Sequence, residues 1–232
     1  MQESGASYTL ETRRASLSKG GEANIVYAIP NDLRDPSTCI IIAHGAGGPM
    51  HSPFIRYFHT ELAKNGYVAV KFNFPYMEAR RKVPDRTDVL ERCYRTVIED
   101  VRATHRTSRI LIGGKSMGGR IASQVAAKDG VDVNALFFLG YPLHPPGRTE
   151  QLRDKHLYSI SKPMLFISGT RDNFATKDLL ERVVAKIGPN AQLDWIENGD
   201  HSFKTRDSTG SEGTNKALTI LLEWLAGLDS KL

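Results

Sequence analysis

The sequence is poor in the residues that mark secreted and metal-binding proteins. Only two of its 232 residues are cysteines, Cys39 and Cys93, and each lies in a different apolar or helix-like segment. No metal-ligand spacing links them, so we expect neither a disulfide framework nor a bound metal. Two reduced thiols fit a reducing compartment, and we therefore expect a cytoplasmic protein.

Long hydrophobic runs are also missing. The longest apolar segments, Cys39–Ala43 and Ala135–Leu139, are far shorter than the roughly 20 residues that a helix needs to span a bilayer. The opening segment MQESGASYTL has no basic stretch followed by an apolar one, which is the pattern of a secretory leader. We therefore expect no association with a membrane.

Charge of one sign does not dominate the chain. The net charge is +5, and acidic residues are mixed with basic ones along most of the sequence, so we expect no binding of nucleic acid. One local exception is the run Arg80–Lys82 with nearby Arg86. Such runs usually face solvent, and binding of an anion is the alternative interpretation.

Strand-like and helix-like segments alternate along most of the chain. The predicted strands are Asn24–Ile29, Cys39–Ala43, Tyr67–Phe72, Arg109–Ile112, Ala135–Leu139, Pro163–Ser168 and Gln192–Ile196. The predicted helices are Pro53–Asn65, Asp88–Thr104, Met117–Lys128, Thr176–Ile187 and Lys216–Leu228. This alternation predicts an α/β fold with a mostly parallel central sheet and helices on both faces. We expect a single domain over residues 1–232.

The segment RILIGGKSMGGR, residues 109–120, fits two motifs with different chemistry. Gly114–Ser116 ends like the phosphate-binding loop G-x-x-x-x-G-K-[ST], whereas Gly114–Gly118 fits the G-x-S-x-G of serine hydrolases. In the first motif another glycine must stand five residues before Gly114, and that position is Arg109 in a strand-like run. A strand commits its N–H groups to its neighbours and cannot cradle a phosphate. The spacing therefore disfavours nucleotide binding.

The hydrolase motif requires a strand, a sharp turn that exposes the serine, and then a helix. The apolar run Ile110–Ile112 supplies the strand, and the apolar residues after Ser116 have helical spacing. Gly114 and Gly118 flank the serine, and small residues there let strand and helix approach closely around a strained turn. A serine that only caps an ordinary helix is the alternative interpretation.

A nucleophilic serine needs a base nearby, so the motif requires a histidine further along the chain. His201 follows the last predicted strand, in the glycine-containing turn of WIENGDHSF. His144 stands among prolines and His156 stands in a charged stretch, and we interpret both as structural or solvated. His201 is therefore the candidate general base.

The acid that orients this histidine should come between the serine and the histidine in the chain. Asp172 lies just beyond the predicted strand Pro163–Ser168, in MLFISGTRDNF. Asp178 falls within the following helix, and Asp200 is interpreted as a turn residue beside His201. Asp172 is therefore the candidate acid.

A serine nucleophile also requires fixed hydrogen-bond donors for the oxyanion that forms on the substrate. The N–H of Met117, the residue after the serine, is one candidate, and the N–H of Ala46 in the loop IIIAHGAGGPM is the other, with Gly47 next. A tight glycine turn is the alternative interpretation of this loop. We expect His44 to brace the loop and to take no part in the chemistry.

With these residues in place, the chain resembles the α/β-hydrolase superfamily over about residues 20–228. The chain is similar to small lid-less enzymes like dienelactone hydrolase. Its segments HGAGG, NFPYMEARRKVPDR and GGKSMGGR are also similar to bacterial relatives of testis-expressed and NSL-complex hydrolase-like proteins. Dienelactone hydrolase has a cysteine nucleophile where this chain has Ser116, so its lactone substrate does not carry over.

The resemblance implies an α/β-hydrolase fold without a separate lid domain and a serine hydrolase that cleaves esters, thioesters or related acyl bonds of small molecules. It implies no cofactor and leaves the oligomeric state open. Arg80 and Arg81 are candidate contacts for an anionic substrate, because their loop follows another strand end. The alternative is a non-catalytic interaction protein on the same scaffold, since some eukaryotic relatives are subunits of complexes.

Overall fold

A computed structural model of the protein describes residues 7–18, 20–33, 37–104, 109–128, 131–205 and 211–229. Its strands are β1 Tyr8–Ser16, β2 Glu22–Pro30, β3 Thr38–Ala43, β4 Val68–Phe72, β5 Arg109–Lys115, β6 Ala135–Leu139, β7 Met164–Gly169 and β8 Ala191–Ile196. Its helices are α1 Pro53–Lys64, α2 Pro75–Glu78, α3 Thr87–Thr104, α4 Met117–Ala126, α5 Lys177–Ile187 and α6 Glu212–Asp229, with a short 3₁₀ helix at Lys155–Ser159.

The strands form a sheet of order β1-β2-β4-β3-β5-β6-β7-β8. β2 pairs antiparallel with β1 and with β4, whereas β3 runs parallel to β4, and β7 runs parallel to both β6 and β8. The prediction of an α/β fold with a mostly parallel sheet is therefore confirmed. None of the helices in the described part of the chain is long and apolar enough to cross a membrane.

By its internal packing the chain divides into two compact units, Met1–Leu111 and Ile112–Leu232. The division falls within β5. A single domain over the whole chain stays a prediction. The first six residues, which form part of the opening segment MQESGASYTL, lie outside the described residues.

The first unit begins with a strand that the sequence pattern did not predict. β1 pairs with β2 along its whole length, from Tyr8 opposite Pro30 to Ser16 opposite Glu22. Most of its side chains are exposed or half-buried, so it has no continuous apolar face to signal a strand. Its position instead depends on cross-strand pairing and on Asp100, which accepts hydrogen bonds from Arg13 Nε at 3.2 Å and from the hydroxyl of buried Tyr27 at 2.6 Å.

The core of the first unit lies between β3 and β4 and the two long helices. All residues of both strands are buried. α1 begins with a proline at its first position, where the missing N–H costs nothing, and buries residues such as Phe58 and Leu62. α3 repeats apolar residues at helical spacing and buries Leu90, Tyr94, Val97 and Val101 among others.

The end of β5 differs from the sequence prediction. The sequence predicted that this strand ends at Ile112, whereas it continues through both glycines to Lys115. Gly113 explains the difference: a Cβ at this position would collide with the carbonyl oxygen of Phe137 in β6. Because glycine has no side chain, β5 can approach β6 closely at this point and continue as a strand up to Ser116.

Candidate active site

Three predicted residues lie just beyond the carboxyl ends of strands in the second unit. Ser116 follows β5 directly, Asp172 comes three residues after the end of β7, and His201 comes five residues after the end of β8. Parallel strands bring their carboxyl ends to one edge of the sheet, where α/β proteins place their binding sites. β8 runs parallel to β7, so the topology directs the loops that carry Asp172 and His201 to the same edge.

The structure joins these three side chains in a continuous hydrogen-bonded array. His201 Nε2 lies 2.8 Å from Ser116 Oγ, and His201 Nδ1 lies 2.8 Å from Asp172 Oδ2. A carboxylate can only accept, so Nδ1 carries the proton and Nε2 of the neutral ring accepts from the serine hydroxyl. The array therefore has a lone pair directed at the serine hydroxyl hydrogen.

Asp172 is fixed by more than the imidazole. Its side chain is fully buried, and its Oδ1 accepts the main-chain N–H of Phe174 at 2.8 Å. Oδ2 also receives the hydroxyl of buried Ser168 at 3.5 Å. The ring of Phe174 lies on the imidazole of His201, with ring centroids 4.3 Å apart. These contacts hold the carboxylate and the imidazole in one orientation.

Ser116 has a strained backbone. Its φ is +50° and its ψ is −116°, values that non-glycine residues rarely adopt. Its N–H donates to the carbonyl oxygen of Leu139 in β6 at 3.0 Å, and its own carbonyl accepts from Arg120 in α4. A serine at a tight change from strand to helix projects its hydroxyl away from both elements, which is the geometry that the motif predicts.

The loop that carries His201 is held by its own turn. Asp200 Oδ1 accepts the N–H groups of Ser202 at 2.7 Å and Lys204 at 3.0 Å, which agrees with its interpretation as a turn residue. Phe203 is fully buried and has a φ of +64°. A Cβ at Gly169, the last residue of β7, would collide with the main chain of this loop. The loop therefore lies directly against the strand that leads to Asp172.

Lys115 is the site residue that the sequence analysis missed. Its amine donates a hydrogen bond to the carbonyl oxygen of His201 and lies 5.1 Å from the centre of the Phe203 ring. Desolvation lowers the pKa of Lys115 to about 8, although the carboxylates of Asp172 and Asp200 oppose the shift. Its place in the motif, directly before the serine, was the only signal in the sequence, and the motif leaves that position open.

The two other candidate histidines of the second unit are structural, which is one of the two interpretations that the sequence left open. His144 is buried, with its Nδ1 2.9 Å from the carbonyl oxygen of Pro145. His156, in its charged stretch, is half-buried, with Nε2 2.8 Å from Ser123 Oγ. Ser123 is itself fully buried, so this second serine–histidine pair is closed to substrate.

The remaining predicted residues lie in the first unit or in α4. In the loop after β3, buried His44 accepts the N–H of Phe74 at 3.1 Å, and its Nδ1 lies 2.7 Å from the carbonyl oxygen of Gly45. Burial lowers the pKa of His44 to about 4, so this ring is neutral and acts as a brace. Ala46 is exposed in the same loop, and its carbonyl accepts the Tyr76 hydroxyl at 3.1 Å.

Met117 is the first residue of α4 and is buried. Its N–H belongs to the first turn of the helix, where main-chain donors have no partner within the helix. The oxyanion roles of Met117 and Ala46 stay predictions.

The basic run in the first unit is exposed at all four positions, Arg80, Arg81, Lys82 and Arg86. Arg81 forms an ion pair with Asp85 at 2.5 Å, and Arg86 lies 3.4 Å from Asp88. These pairs fit a solvated surface, and binding of an anionic substrate by Arg80 and Arg81 stays a prediction. Within the described residues, no group of three or more His, Cys, Asp and Glu side chains is arranged to hold a metal ion.

The chain belongs to the α/β-hydrolase family: the sequence profile of the alpha/beta hydrolase domain matches residues 36–224. Several solved structures share its fold. One is an α/β serine hydrolase homologue from Coxiella burnetii, at 18% identity and a TM-score of 0.73 over 93% of this chain and 97% of that chain. Another is dienelactone hydrolase from Anabaena variabilis, at 18% identity and a TM-score of 0.74 over 95% and 98%.

A third is an α/β serine hydrolase without a lid from Xanthomonas campestris, at 19% identity and a TM-score of 0.72 over 92% of each chain. The resemblance to lid-less α/β hydrolases such as dienelactone hydrolase is therefore confirmed. At these identities the likeness is one of fold, and it extends over nearly the full length of both partners.

Replacing Lys115 by methionine tests the cost of holding its amine out of water. The pKa of this amine is about 8 in the folded protein and 10.5 ordinarily, so the unfolded chain binds more protons between these values. The resulting penalty is full below pH 8 and disappears toward pH 10.5. We expect the free energy of unfolding of Lys115→Met, minus that of the parent, to fall by roughly 2–3 kcal/mol between about pH 7.5 and about pH 10.

Urea unfolding curves at a series of pH values measure this difference. Lys155→Met, the same exchange at an exposed lysine of the second unit, is the control, and its difference from the parent should stay flat. A difference for Lys115→Met that is equally flat would show that the amine is not desolvated.

Proposed function

We propose that the protein is a serine hydrolase that cleaves an ester, thioester or related acyl bond through an acyl-enzyme on Ser116. The observation that carries this proposal is the array of Ser116, His201 and Asp172, joined by two hydrogen bonds of 2.8 Å. An ordinary helix-capping serine needs neither a strained backbone nor an oriented imidazole, and Ser116 has both.

In the first half-reaction Ser116 Oγ attacks the carbonyl carbon of the substrate while His201 Nε2 takes the hydroxyl proton. The buried Asp172 carboxylate keeps the other ring nitrogen protonated and stabilises the positive charge that the imidazole gains. The imidazolium then returns the proton to the leaving alcohol or thiol, and the acyl group stays on Ser116. Asp172 itself is not protonated in either of these two proton transfers.

The tetrahedral intermediate places negative charge on the former carbonyl oxygen. We assign the N–H groups of Met117 and Ala46 as its donors. Met117 supports this assignment because its N–H starts α4 and the helix dipole favours negative charge there. The choice of Ala46 is supported because its loop consists of small residues, is exposed at Ala46, and is held in place by His44 and Tyr76.

In the second half-reaction a water molecule repeats the same steps. His201 takes a proton from the water, the hydroxide attacks the acyl carbon, and Ser116 leaves with the proton returned by the imidazolium. The products are a carboxylic acid and free enzyme. This route uses no metal ion and no organic cofactor.

The substrate class is inferred from the connections between the strands. Within the described residues, the connection after β4 contains the short helix α2 and then α3, and the connection after β6 contains one 3₁₀ helix. Neither connection forms an inserted domain. Without a lid, little apolar surface is available to cover a long acyl chain. We therefore propose small acyl substrates in an open site.

Ser116→Ala should abolish covalent labelling by a fluorophosphonate probe and lower turnover of a model ester by on the order of 10⁶. The nucleophile is then missing although the imidazole and the carboxylate remain. Gel fluorescence and mass spectrometry of the labelled peptide measure the outcome. Ser123→Ala, which removes the buried serine beside His156, is the matched control and should still be labelled on Ser116. Parent protein that takes up no probe would favour the non-catalytic alternative.

Asp172→Asn should lower kcat by roughly 10⁴, because an amide can donate to Nδ1 and so stabilises the wrong tautomer of His201. Asp200→Asn is its matched control, since asparagine keeps the oxygen that accepts the N–H groups of Ser202 and Lys204. Steady-state kinetics of both variants on one ester make the comparison. Full activity of the Asp172 variant would place the acid elsewhere.

A series of p-nitrophenyl esters tests the substrate class. We expect kcat/KM to be highest for acetyl and butyryl esters and to fall as the acyl chain lengthens, because an open site buries little of a long chain. The measurement is initial rates below the micelle concentration of each ester. Better turnover of long-chain esters would contradict the assignment.

A further inference from the structure

Lys115 connects the strand end that carries Ser116 to the loop that carries His201. It directly precedes Ser116 at the end of β5, yet its amine donates to the main-chain carbonyl of His201, 86 residues further along the chain. The hydrogen bond therefore joins the strand end that carries the serine to the loop that carries the histidine. The hydrogen bonds from Ser116 and Asp172 hold the imidazole ring of His201, whereas the hydrogen bond from Lys115 holds the main chain of the same residue.

The surroundings of the amine leave it little freedom. A Cβ on Gly140, which has a φ of +70°, would lie 3.0 Å from Lys115 Nζ and 3.5 Å from His201 Cε1. The amine and the imidazole therefore pack against the same bare stretch of backbone after β6. The amine also lies over the ring of Phe203, a buried residue of the His201 loop, at 5.1 Å from the ring centre.

A lysine in this position is costly. Removing an ammonium from water is unfavourable, and an apolar side chain of similar length would fill the space without that cost. The amine has one feature that an apolar side chain lacks: a donor that satisfies and fixes the His201 carbonyl. Loops shift by small distances easily, and a displacement of about 1 Å in a catalytic group can cost about 100-fold in rate.

We propose that Lys115 is a positioning residue that ties the His201 loop to the end of β5 and so holds the imidazole within hydrogen-bond distance of Ser116. The inference rests on the proposed function, because it concerns how the proposed base is held. Lys115 acts through the backbone of His201, and no proton passes through it.

The charge of Lys115 adds a second measurable effect, on the pH dependence of the reaction. Among the described residues, the carboxylates of Asp172 and Asp200 attract the amine, and the nearby imidazole of His201 is repelled by it when protonated. Removing the positive charge makes protonation of the imidazole easier. The acid limb of the kcat/KM profile, where the base becomes protonated, should then move to higher pH.

The test compares the parent, Lys115→Met and the control Lys155→Met by the second-order rate of fluorophosphonate labelling and by ester kinetics across pH. For Lys115→Met we expect the labelling rate and kcat to fall together by about 10- to 100-fold, with KM within about twofold of the parent. The acid limb should also move to higher pH. Lys155→Met should behave like the parent in all three measurements.

Lys115→Gln provides the same comparison if the methionine variant does not fold, because it also removes the charge and shortens the reach toward His201. Labelling and kcat at the parent level in a folded Lys115 variant would overturn the inference, even though a labelled parent upholds the proposed function. A kcat loss with an unmoved acid limb would also overturn it, since packing alone would then explain the loss. A parent protein that is not labelled would remove the proposed function itself.

Discussion

The imidazole of His201 must meet two partners at once, and the second unit is built around that requirement. Ser116 and Asp172 lie on opposite ring nitrogens, each at 2.8 Å, so a rotation or shift of the ring lengthens at least one bond. A histidine on a free loop would rarely satisfy both. The site therefore depends on what holds the His201 loop in place.

That restraint comes from main-chain contacts and from a few side chains behind the ring. The turn is closed by Asp200, the loop backbone lies against Gly169, and Phe174 covers the imidazole face. Lys115 adds a hydrogen bond from the end of the strand that precedes Ser116. Strain at Ser116 and desolvation at Lys115 both oppose folding, and such costs are typical of sites that hold groups in unfavourable but reactive arrangements.

Local sequence patterns predicted much of this architecture. The alternation of segments identified the α/β fold, and G-x-S-x-G, with an acid and a histidine after later strands, selected the three residues that the structure brings together. The sequence patterns did not predict strand segments that depend on main-chain hydrogen bonds to a neighbouring strand more than on their own side chains. β1 has no apolar face, and β5 continues through glycines that favour turns in isolation, because a neighbouring strand supplies the hydrogen bonds in both cases.

The sequence by itself determined which residue types stand at the strand ends, since strand period, motif spacing and chain order are local properties. Only the tertiary structure decided how the surrounding side chains divide their roles. His156 pairs with a buried serine, and Lys115 reaches the backbone of a residue 86 positions away. Such contacts depend on the distance between elements that are remote in the chain, and no local pattern encodes that distance.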